Sequence, residues 1–292
     1  MFSLRLDREA SIYLIHPLMN LHFRRSESAV PILMYHSICQ ETHGGRSPYY
    51  FTNTSPDAFR AQMEFLHENG YSAISLEEAL PILRGQTLPR RRIAVITFDD
   101  GCRSVLTEAY PVLCQFGFTA TVFIATAFIK DTGGAFNGKP CLTWGEIVEL
   151  RRAGLHFGSH TVNHPELCRI DWSQVETELR CSKHEIERRL GEHIVTFAYP
   201  YAYPEEQTGF TSRLGRLLAA SGYAACATTR IGCAQIGESL FSLKRLPVNA
   251  CDDLQLFRAK LDGAYDWLGY PQLFSKTVKR WLRTNLLATQ GA

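Results

Sequence analysis

The stretch "RIAVITFDDG", residues 92–101, indicates most about the fold. Its first seven residues are mostly apolar, and β-branched and aromatic residues are frequent among them, which predicts a β-strand. Because apolar and polar residues hardly alternate, both faces of this strand should be buried, as is typical of a parallel sheet covered by helices. The run ends in Asp99, Asp100 and Gly101, so two carboxylates follow the strand directly.

Apolar runs of this kind recur along the chain and alternate with segments of helical pattern. The others are "AVPILMYHSI", "YSAISL", "TATVFIATAFI", "LHFGSH", "HIVTFAYP", "YAACATT" and "FSLKRLPV". Strands that alternate with helices predict an α/β protein with a parallel sheet. An irregular (β/α) barrel with seven or so parallel strands is the most economical arrangement. An open doubly wound sheet is the alternative, but no Gly-x-Gly-x-x-Gly turn follows the first strand.

The pattern divides the chain into three parts. Residues 1–29 form an N-terminal extension, residues 30–250 the barrel domain, and residues 251–292 a C-terminal helical extension. Helix starts are marked by capping residues, as at Ser55 followed by Pro56 at the first helical position.

The composition is that of a globular protein, with 45% hydrophobic and 21% charged residues in a chain of 292. The formal net charge of +2 is too small to indicate a nucleic-acid partner, and no basic stripe interleaved with aromatic residues is present. No run approaches 18 apolar residues, so we expect no membrane-spanning helix.

The N-terminus does not resemble a secretory signal, because Asp7 and Glu9 stand where basic residues are expected and Pro17 interrupts the apolar stretch. The nine cysteines are scattered and include no Cys-x-x-Cys pair, so neither a disulfide framework nor a zinc finger is indicated. We therefore expect a cytoplasmic protein.

Polar side chains stand where the predicted strands end, which is where the active sites of parallel barrels gather. They are His36, Asp99, Asp100, His160, Tyr199, Tyr201, Lys244 and Arg245, with His164 shortly after His160. Two adjacent carboxylates at the end of an apolar strand are costly unless a positive charge compensates them. Successive residues of an extended chain point in opposite directions, so one aspartate can bind a metal while the other faces substrate or water. An exposed Asp-Asp-Gly turn is the alternative.

The spacing of His160 and His164 would place both on one face of a helix. Gly158, Ser159 and Pro165 instead favour a strand that runs into a loop. Two imidazoles and one carboxylate make a set of three ligands that leaves positions open for water. Two surface histidines with satisfied hydrogen bonds are the alternative, which is weakened by the carboxylate pair at the matching end of another strand.

The motifs "TFDDG", "SHTVNH" and "YPY" resemble those of the polysaccharide deacetylases, carbohydrate esterase family four. The resemblance covers roughly residues 30–250. "MYHSI" and "FAYP" are most similar to the poly-N-acetylglucosamine deacetylase branch. The family implies an irregular (β/α) barrel, one divalent metal, usually zinc, and hydrolysis of an N-acetyl group on a sugar, so the partner would be an N-acetylated glycan.

The resemblance also implies roles for single residues. It assigns the metal to three ligands, Asp100, His160 and His164. Asp99 would be the general base, and the backbone N–H of Tyr201 would help to hold the oxyanion, with Tyr199 beside it at the substrate. Metal, base and oxyanion donor would let water attack the acetyl carbonyl, and an acid must then protonate the leaving amine.

Two positions depart from the family pattern. The third motif commonly begins with an arginine that orients the base, and Ala198 stands in its place. Arg245 is our candidate for the missing cation. The usual general-acid histidine of a late strand is also missing, since no histidine follows His193. In the branch with an early Tyr-His pair the first-strand histidine is thought to supply the acid, so we expect His36 to act as acid rather than as a core histidine.

The C-terminal extension predicts a helix with an apolar face and basic flanks. The apolar residues are Phe274, Val278, Trp281, Leu282 and Leu286, and the basic ones are Lys276, Lys279, Arg280 and Arg283. Such a helix is compatible with peripheral contact to a membrane surface. Docking on the barrel or on a second subunit is the alternative.

The function indicated first is a metal-dependent N-deacetylase of an amino-sugar polysaccharide or oligosaccharide. A deacetylase or deformylase of a lipid-linked sugar at the membrane surface is a second interpretation. A catalytically weak carbohydrate-binding member of the fold is a third. A non-haem iron oxygenase is a fourth, because two histidines and one carboxylate also suit Fe(II), although the neighbouring Asp99 favours hydrolysis.

Overall fold

The computed structural model describes the backbone of residues 5–22, 29–40, 52–89 and 91–290, and their side chains apart from those of 20–22 and 283–290. Seven parallel strands close into a barrel that helices surround. The predicted irregular (β/α) barrel is therefore confirmed.

The strands of the main sheet are β2 (Ile32–Tyr35), β5 (Tyr71–Ile74), β6 (Arg92–Phe98), β7 (Thr121–Ile124), β10 (His156–Ser159), β11 (Thr196–Ala198), β12 (Ala225–Ile231) and β14 (Leu243–Pro247). Six short strands form three small ladders: β1 (Ala29–Val30) with β13 (Ala234–Gln235), β3 (Ser37–Ile38) with β4 (Asn53–Thr54), and β8 (Ala135–Phe136) with β9 (Lys139–Pro140).

Around the barrel the order is β2, β14, β12, β11, β10, β7 and β6, and β6 pairs again with β2. The eighth strand, β5, pairs only with the first half of β6, whose second half pairs with β7. The barrel is irregular because β5 lies beside the first half of β6 and does not belong to the closed ring of seven strands.

The helices are α1 (Leu6–Ala10), α2 (His16–His22), α3 (Pro56–Glu68), α4 (Leu76–Leu83), α5 (Tyr110–Gln115), α6 (Trp144–Arg152), α7 (Trp172–Leu190), α8 (Thr208–Ala220), α9 (Leu254–Leu261) and α10 (Gly269–Gln290). Their starts follow the capping signals of the sequence. The Ser55 hydroxyl accepts a hydrogen bond from the N–H of Ala58, and Thr143 with Glu146 forms a capping box at α6.

Two apolar clusters fill the protein. The smaller joins α4 to alternate strand residues such as Val95 and Leu243, whereas Ala94 and Ile96 belong to the larger cluster. Successive strand residues point to opposite faces of a sheet. Asp99 therefore points to the same side as Val95, and Arg245 to the same side as Leu243, so both charged side chains share the face of the smaller cluster.

The two ends of the described chain are helical. α1 and α2 are joined by a π-helical turn, Ser11–Ile15, and this segment packs against α9. α10 is attached to the barrel by Gln272, whose amide donates to the carbonyl of Thr229 at 2.9 Å. No helix among the described residues is long and apolar enough to cross a membrane. The division into three parts at residues 29 and 250 stays a prediction.

The outer face of α10 carries apolar side chains that do not pack on the barrel. Phe274 is 71% exposed and Trp281 is 64% exposed. The side chains of Arg283 and Leu286, which complete the predicted amphipathic pattern, lie outside the described residues.

Candidate metal centre

The turn after β6 directs its two aspartates differently. Asp99 continues the strand and is buried, and its N–H donates to the carbonyl of Tyr35 on β2. Asp100 and Gly101 both have positive φ, 70° and 65°. A Cβ on Gly101 would lie 2.9 Å from a methyl group of Ile124, so only glycine fits here. The tight turn thus separates the two carboxylates and presents Asp100 at the barrel end.

The two histidines lie on the loop after β10. The Nδ1–H of His160 is placed to donate to the carbonyl of Ala198 at 2.8 Å, which leaves Nε2 free to bind a metal. His164 has a φ of 54° and belongs to a tight loop. Burial and, next, the proximity of His160 lower the pKa of His164 to about 3, so this imidazole is neutral at neutral pH. Neutral imidazoles are the form that binds metals.

Three potential ligand atoms converge. Oδ1 of Asp100 lies 3.6 Å from Nε2 of both histidines, and the two Nε2 atoms lie 3.2 Å apart. Two ligands at about 2.1 Å from a tetrahedral zinc ion are about 3.4 Å apart. The spacing of the three atoms therefore fits a metal ion of this size. Among the described residues, no other group of three His, Cys, Asp or Glu side chains meets this requirement.

Asp99 is held by Arg245, the cation that the sequence analysis named for this position. Both guanidinium nitrogens donate to the carboxylate, each at 2.7 Å, and the pair is almost completely buried. Arg245 Nε donates to the carbonyl of Thr228, and Nη1 donates to the hydroxyl of Thr97. Burial acts to raise the pKa of Asp99, but the charge and hydrogen bonds of Arg245, together with the nearby His160, outweigh burial and keep this pKa well below its usual range. Asp99 is therefore ionised at neutral pH.

His36 lies between β2 and β3 and is half-buried. Tyr35 pairs with Phe98 across β2 and β6, so His36 stands at the same barrel end as Asp99. Among the described residues it forms no hydrogen bond that would fix it as a core histidine. His36 therefore lies at the barrel end that carries the candidate ligands.

The two tyrosines of the "YPY" motif have different positions. Tyr201 is 52% exposed, its ring packs edge-on to His164 with centroids 4.5 Å apart, and its φ is 57°. Its backbone N–H has no partner among the described residues. Tyr199 is 1% exposed and its ring packs against Tyr203. The side chain of Tyr199 thus lies in the core and is almost inaccessible to solvent, so we assign it no contact with substrate.

One positioning residue was missed by the sequence analysis. Glu178 of α7 is buried, and its carboxylate accepts hydrogen bonds from the N–H groups of Val162 and Asn163 at 2.7 and 2.9 Å. It thereby fixes the loop that joins His160 to His164. A glutamate in the buried stripe of an otherwise amphipathic helix was the available signal.

The hairpin β8–β9 forms one wall of the site. The ring of Phe136 packs against His164 with centroids 4.9 Å apart, and Lys139 donates to the Ser37 hydroxyl at 2.6 Å. Nothing in the sequence pattern indicated that this hairpin lies beside His164. A cleft of about 680 Å³ lies elsewhere on the protein, between Trp144 and α7, and none of the three candidate ligands lines it. The candidate site is therefore indicated by converging side chains and not by the size of a cavity.

Comparisons with known proteins point to one family. A family model described as polysaccharide deacetylase matches residues 86–219. The chain is 31% identical to YxkH of Bacillus subtilis (strain 168), which its name assigns to the polysaccharide deacetylases, over 75% of this chain and 71% of that protein. It is 23% identical to the poly-beta-1,6-N-acetyl-D-glucosamine N-deacetylase of Staphylococcus aureus (strain MSSA476), over 60% of this chain and 65% of that protein.

Among solved structures, the deacetylase PplD of Streptococcus pyogenes, in complex with acetate, superposes with a TM-score of 0.69 at 27% identity. The match covers 80% of this chain and 98% of that one. Extensive similarity to a named relative, a matching family model and a shared barrel all point the same way, and they set aside the oxygenase interpretation. The chain belongs to the polysaccharide deacetylase family, whose members are metal-dependent hydrolases that remove N-acetyl groups from carbohydrates.

Proposed function

We propose that this protein removes acetyl groups from a polymer of β-linked N-acetylglucosamine, with a zinc ion held by Asp100, His160 and His164. The observation that carries the proposal is the convergence of three potential ligand atoms beside a buried aspartate that is paired with an arginine. When bound, zinc would polarise the acetyl carbonyl and lower the pKa of a water molecule.

Asp99 accepts the proton of the attacking water. Its carboxylate is ionised, because Arg245 offsets the cost of burial, and its two contacts to the guanidinium fix its orientation. This arrangement supplies the orienting cation that Ala198 does not. It favours catalysis over the alternative of a carbohydrate-binding protein with weak activity.

Tyr201 and His36 complete the reaction. The free N–H of Tyr201 donates to the acetyl oxygen as negative charge develops there. His36 donates its proton to the amine nitrogen as the C–N bond breaks, since an unprotonated amine is a poor leaving group. The products are acetate and a free amino sugar, which balances the water consumed.

The polymer substrate is supported by the name of the Staphylococcus aureus relative, which acts on poly-β-1,6-N-acetyl-D-glucosamine. The open face of the site also suits a chain rather than an enclosed small molecule, because Tyr201 is exposed at its edge. An exposed aromatic ring beside the ligands offers a surface on which a sugar can stack.

The test is acetate release from β-1,6-linked N-acetylglucosamine oligomers, together with metal analysis. His160→Ala should lose the metal and all measurable activity. His156→Ala is the matched control, because His156 lies at the opposite end of the same strand and contacts Glu77. Full activity in His160→Ala, or in wild-type protein stripped of metal, would refute the proposal.

A second candidate is deacetylation or deformylation of a lipid-linked sugar by a cytoplasmic protein bound peripherally to the membrane. It is supported by the exposed face of α10, where Tyr270, Phe274 and Trp281 project outward. Exposed aromatic residues beside basic ones are typical of helices that lie at a membrane surface. The cations Lys279 and Arg280 are exposed on the same helix.

Sedimentation with vesicles that contain anionic phospholipid distinguishes this candidate. The wild-type protein should sediment with them, and Phe274→Ser with Trp281→Ser should reduce binding severalfold. Leu88→Ser is the control, since Leu88 is an equally exposed apolar residue away from α10. Equal binding by the control and the double variant would count against a membrane-bound function.

A further inference from the structure

Two cysteines lie next to the metal centre and have no role in the hydrolysis. Cys102 follows Asp100 by two residues, and Cys141 follows the hairpin β8–β9. Both are buried free thiols. They form an antiparallel β-bridge with each other, so the chain places them directly opposite one another.

The register of this bridge is suited to a disulfide. The N–H after Cys102 donates to the carbonyl before Cys141 at 2.8 Å, and the N–H after Cys141 donates to the carbonyl before Cys102 at 2.9 Å. The cysteines are therefore a non-hydrogen-bonded pair, in which Cα atoms are typically about 4.5 Å apart and side chains are close. Disulfides span Cα separations of about 4.4–6.8 Å. An S–S bond can form here without a large backbone movement.

The two partners belong to segments that meet at the site. Cys102 is in the turn that carries Asp100. Cys141 leads out of the hairpin whose Phe136 packs on His164, and its thiol lies 4.0 Å from the carbonyl oxygen of Asp100. A bond between the two sulfurs would therefore tie the wall of the site to the turn that holds one ligand.

We propose that Cys102 and Cys141 form a redox-closable clamp at the mouth of the metal centre, with hydrogen peroxide as the oxidant. One sulfur attacks the peroxide, the O–O bond breaks, and a sulfenic acid and water form. The second sulfur then attacks the sulfenic sulfur, the S–O bond breaks, and a second water leaves. Overall two thiols lose two protons and two electrons, and hydrogen peroxide takes them up as two waters.

Because both thiols are buried, a bulky disulfide reagent would need the hairpin to open, so the oxidant must be small. Transient disulfides of this kind are also the ones found in reducing compartments. Closure should hold the hairpin against the Asp100 turn and suppress its local opening. Reduction should release it.

The experiment treats reduced full-length protein with hydrogen peroxide, alkylates the remaining thiols and maps the cysteines by mass spectrometry. We expect peptides joined through Cys102 and Cys141, a loss of two hydrogen masses, and reversal by a phosphine reductant. Amide hydrogen exchange in residues 135–140 should slow by roughly tenfold or more on oxidation. Neither readout depends on deacetylase activity, so the clamp and the proposed function are tested separately.

Cys181→Ser, which removes an exposed thiol on α7, should oxidise like the wild type. Cys141→Ser should show no joined peptide and no change in exchange. The clamp is refuted if peroxide gives only sulfinic acid at these positions or joins Cys102 to Cys39 instead. An exchange rate that does not change in the joined protein would refute it as well. If Cys141→Ser does not fold, the mapping of the wild type decides alone.

Discussion

Two buried ion pairs with almost the same local chemistry lie in different regions of this protein. Asp99 and Arg245 meet at 2.7 Å at the mouth of the barrel, and Asp252 and Lys260 meet at 2.6 Å outside it. All four side chains are nearly inaccessible to solvent. The first pair lies beside the candidate metal ligands, whereas the second, within the described part of the chain, contacts other parts of the fold.

The pair of Asp252 and Lys260, here called the outer pair, is part of a network that joins three segments. Lys260 on α9 donates to Asp252 and to the carbonyl of Pro247, which ends β14. Arg5, next to the first helix, donates to Asp252 at 3.2 Å and to Asp7 at 2.6 Å. The network therefore holds the N-terminal segment and α9 to the barrel. Burial and geometry are nearly the same in the two pairs, and only their surroundings make the first a candidate for catalysis and the second a structural contact.

The largest expected effect is at His36, at the barrel end that carries the pair of Asp99 and Arg245. His36→Ala should reduce turnover by roughly 100- to 10,000-fold, because the departing amine loses its proton donor. Metal content and thermal stability should stay near those of the wild type, since His36 is neither a ligand nor part of the core. The measurements are kcat for acetate release, metal analysis and a melting curve. An unfolded variant, or near-normal turnover, would make His36 a structural histidine.

The second largest effect is expected at the outer pair of Asp252 and Lys260. Lys260→Met should lower the free energy of unfolding by about 3 kcal/mol, because it leaves a buried carboxylate with only Arg5 as a charged partner. The turnover of the folded fraction should not change. Denaturant unfolding and the rate per folded molecule measure the two quantities. Lys244→Met is the matched control, since its pairing with Glu238 at 3.8 Å is partly exposed and should contribute little.

A smaller effect on the rate is expected at Arg245. Arg245→Met should lower the rate of the chemical step by roughly 10- to 100-fold while the metal stays bound, because Asp99 loses its orienting partner. The variant should also be less stable, as Lys260→Met is, so rates are compared at a temperature where both are folded. If both variants lost only stability, the contrast between the two ion pairs would disappear.

The smallest effect is a shift of the pH profile. Asp99 must be ionised to accept a proton, so activity is lost as pH falls through its pKa. In the wild type, Arg245 keeps that pKa well below the usual range although burial acts in the other direction. Arg245→Met removes the strongest influence that lowers this pKa, so the pKa of Asp99 rises and the acid limb of kcat/KM moves to higher pH. Coincident acid limbs in the two proteins would show that Asp99 is not the base.

Much of the fold followed from the sequence because its signals are local. Strands buried on both faces must be apolar throughout, so "AVITF" and its counterparts could be recognised without knowing their neighbours. Helix starts at Ser55 and Thr143 were equally visible, since a capping residue satisfies N–H groups of its own first turn. The position of β5 beside half of β6 was not visible, because pairing between strands is a long-range property.

The candidate site was also partly visible. Ligand types and their places at strand ends indicated Asp100, His160 and His164, because the carboxyl ends of parallel strands share one edge. The sequence named Arg245 only as a candidate for the orienting cation. That it meets Asp99 depends on the approach of β14 to β2 and of β2 to β6, which no spacing in the chain encodes.

The sequence by itself determined which groups could do chemistry: the apolar strands, the polar residues at their ends, and the absence of a late histidine. Only the tertiary structure decided which of them meet. It buried the ring of Tyr199 and exposed that of Tyr201, set Glu178 behind the histidine loop, and gave two similar ion pairs different surroundings. The physical reason is that periodicity and capping act over a few residues, whereas burial and charge contacts depend on segments far apart in the chain.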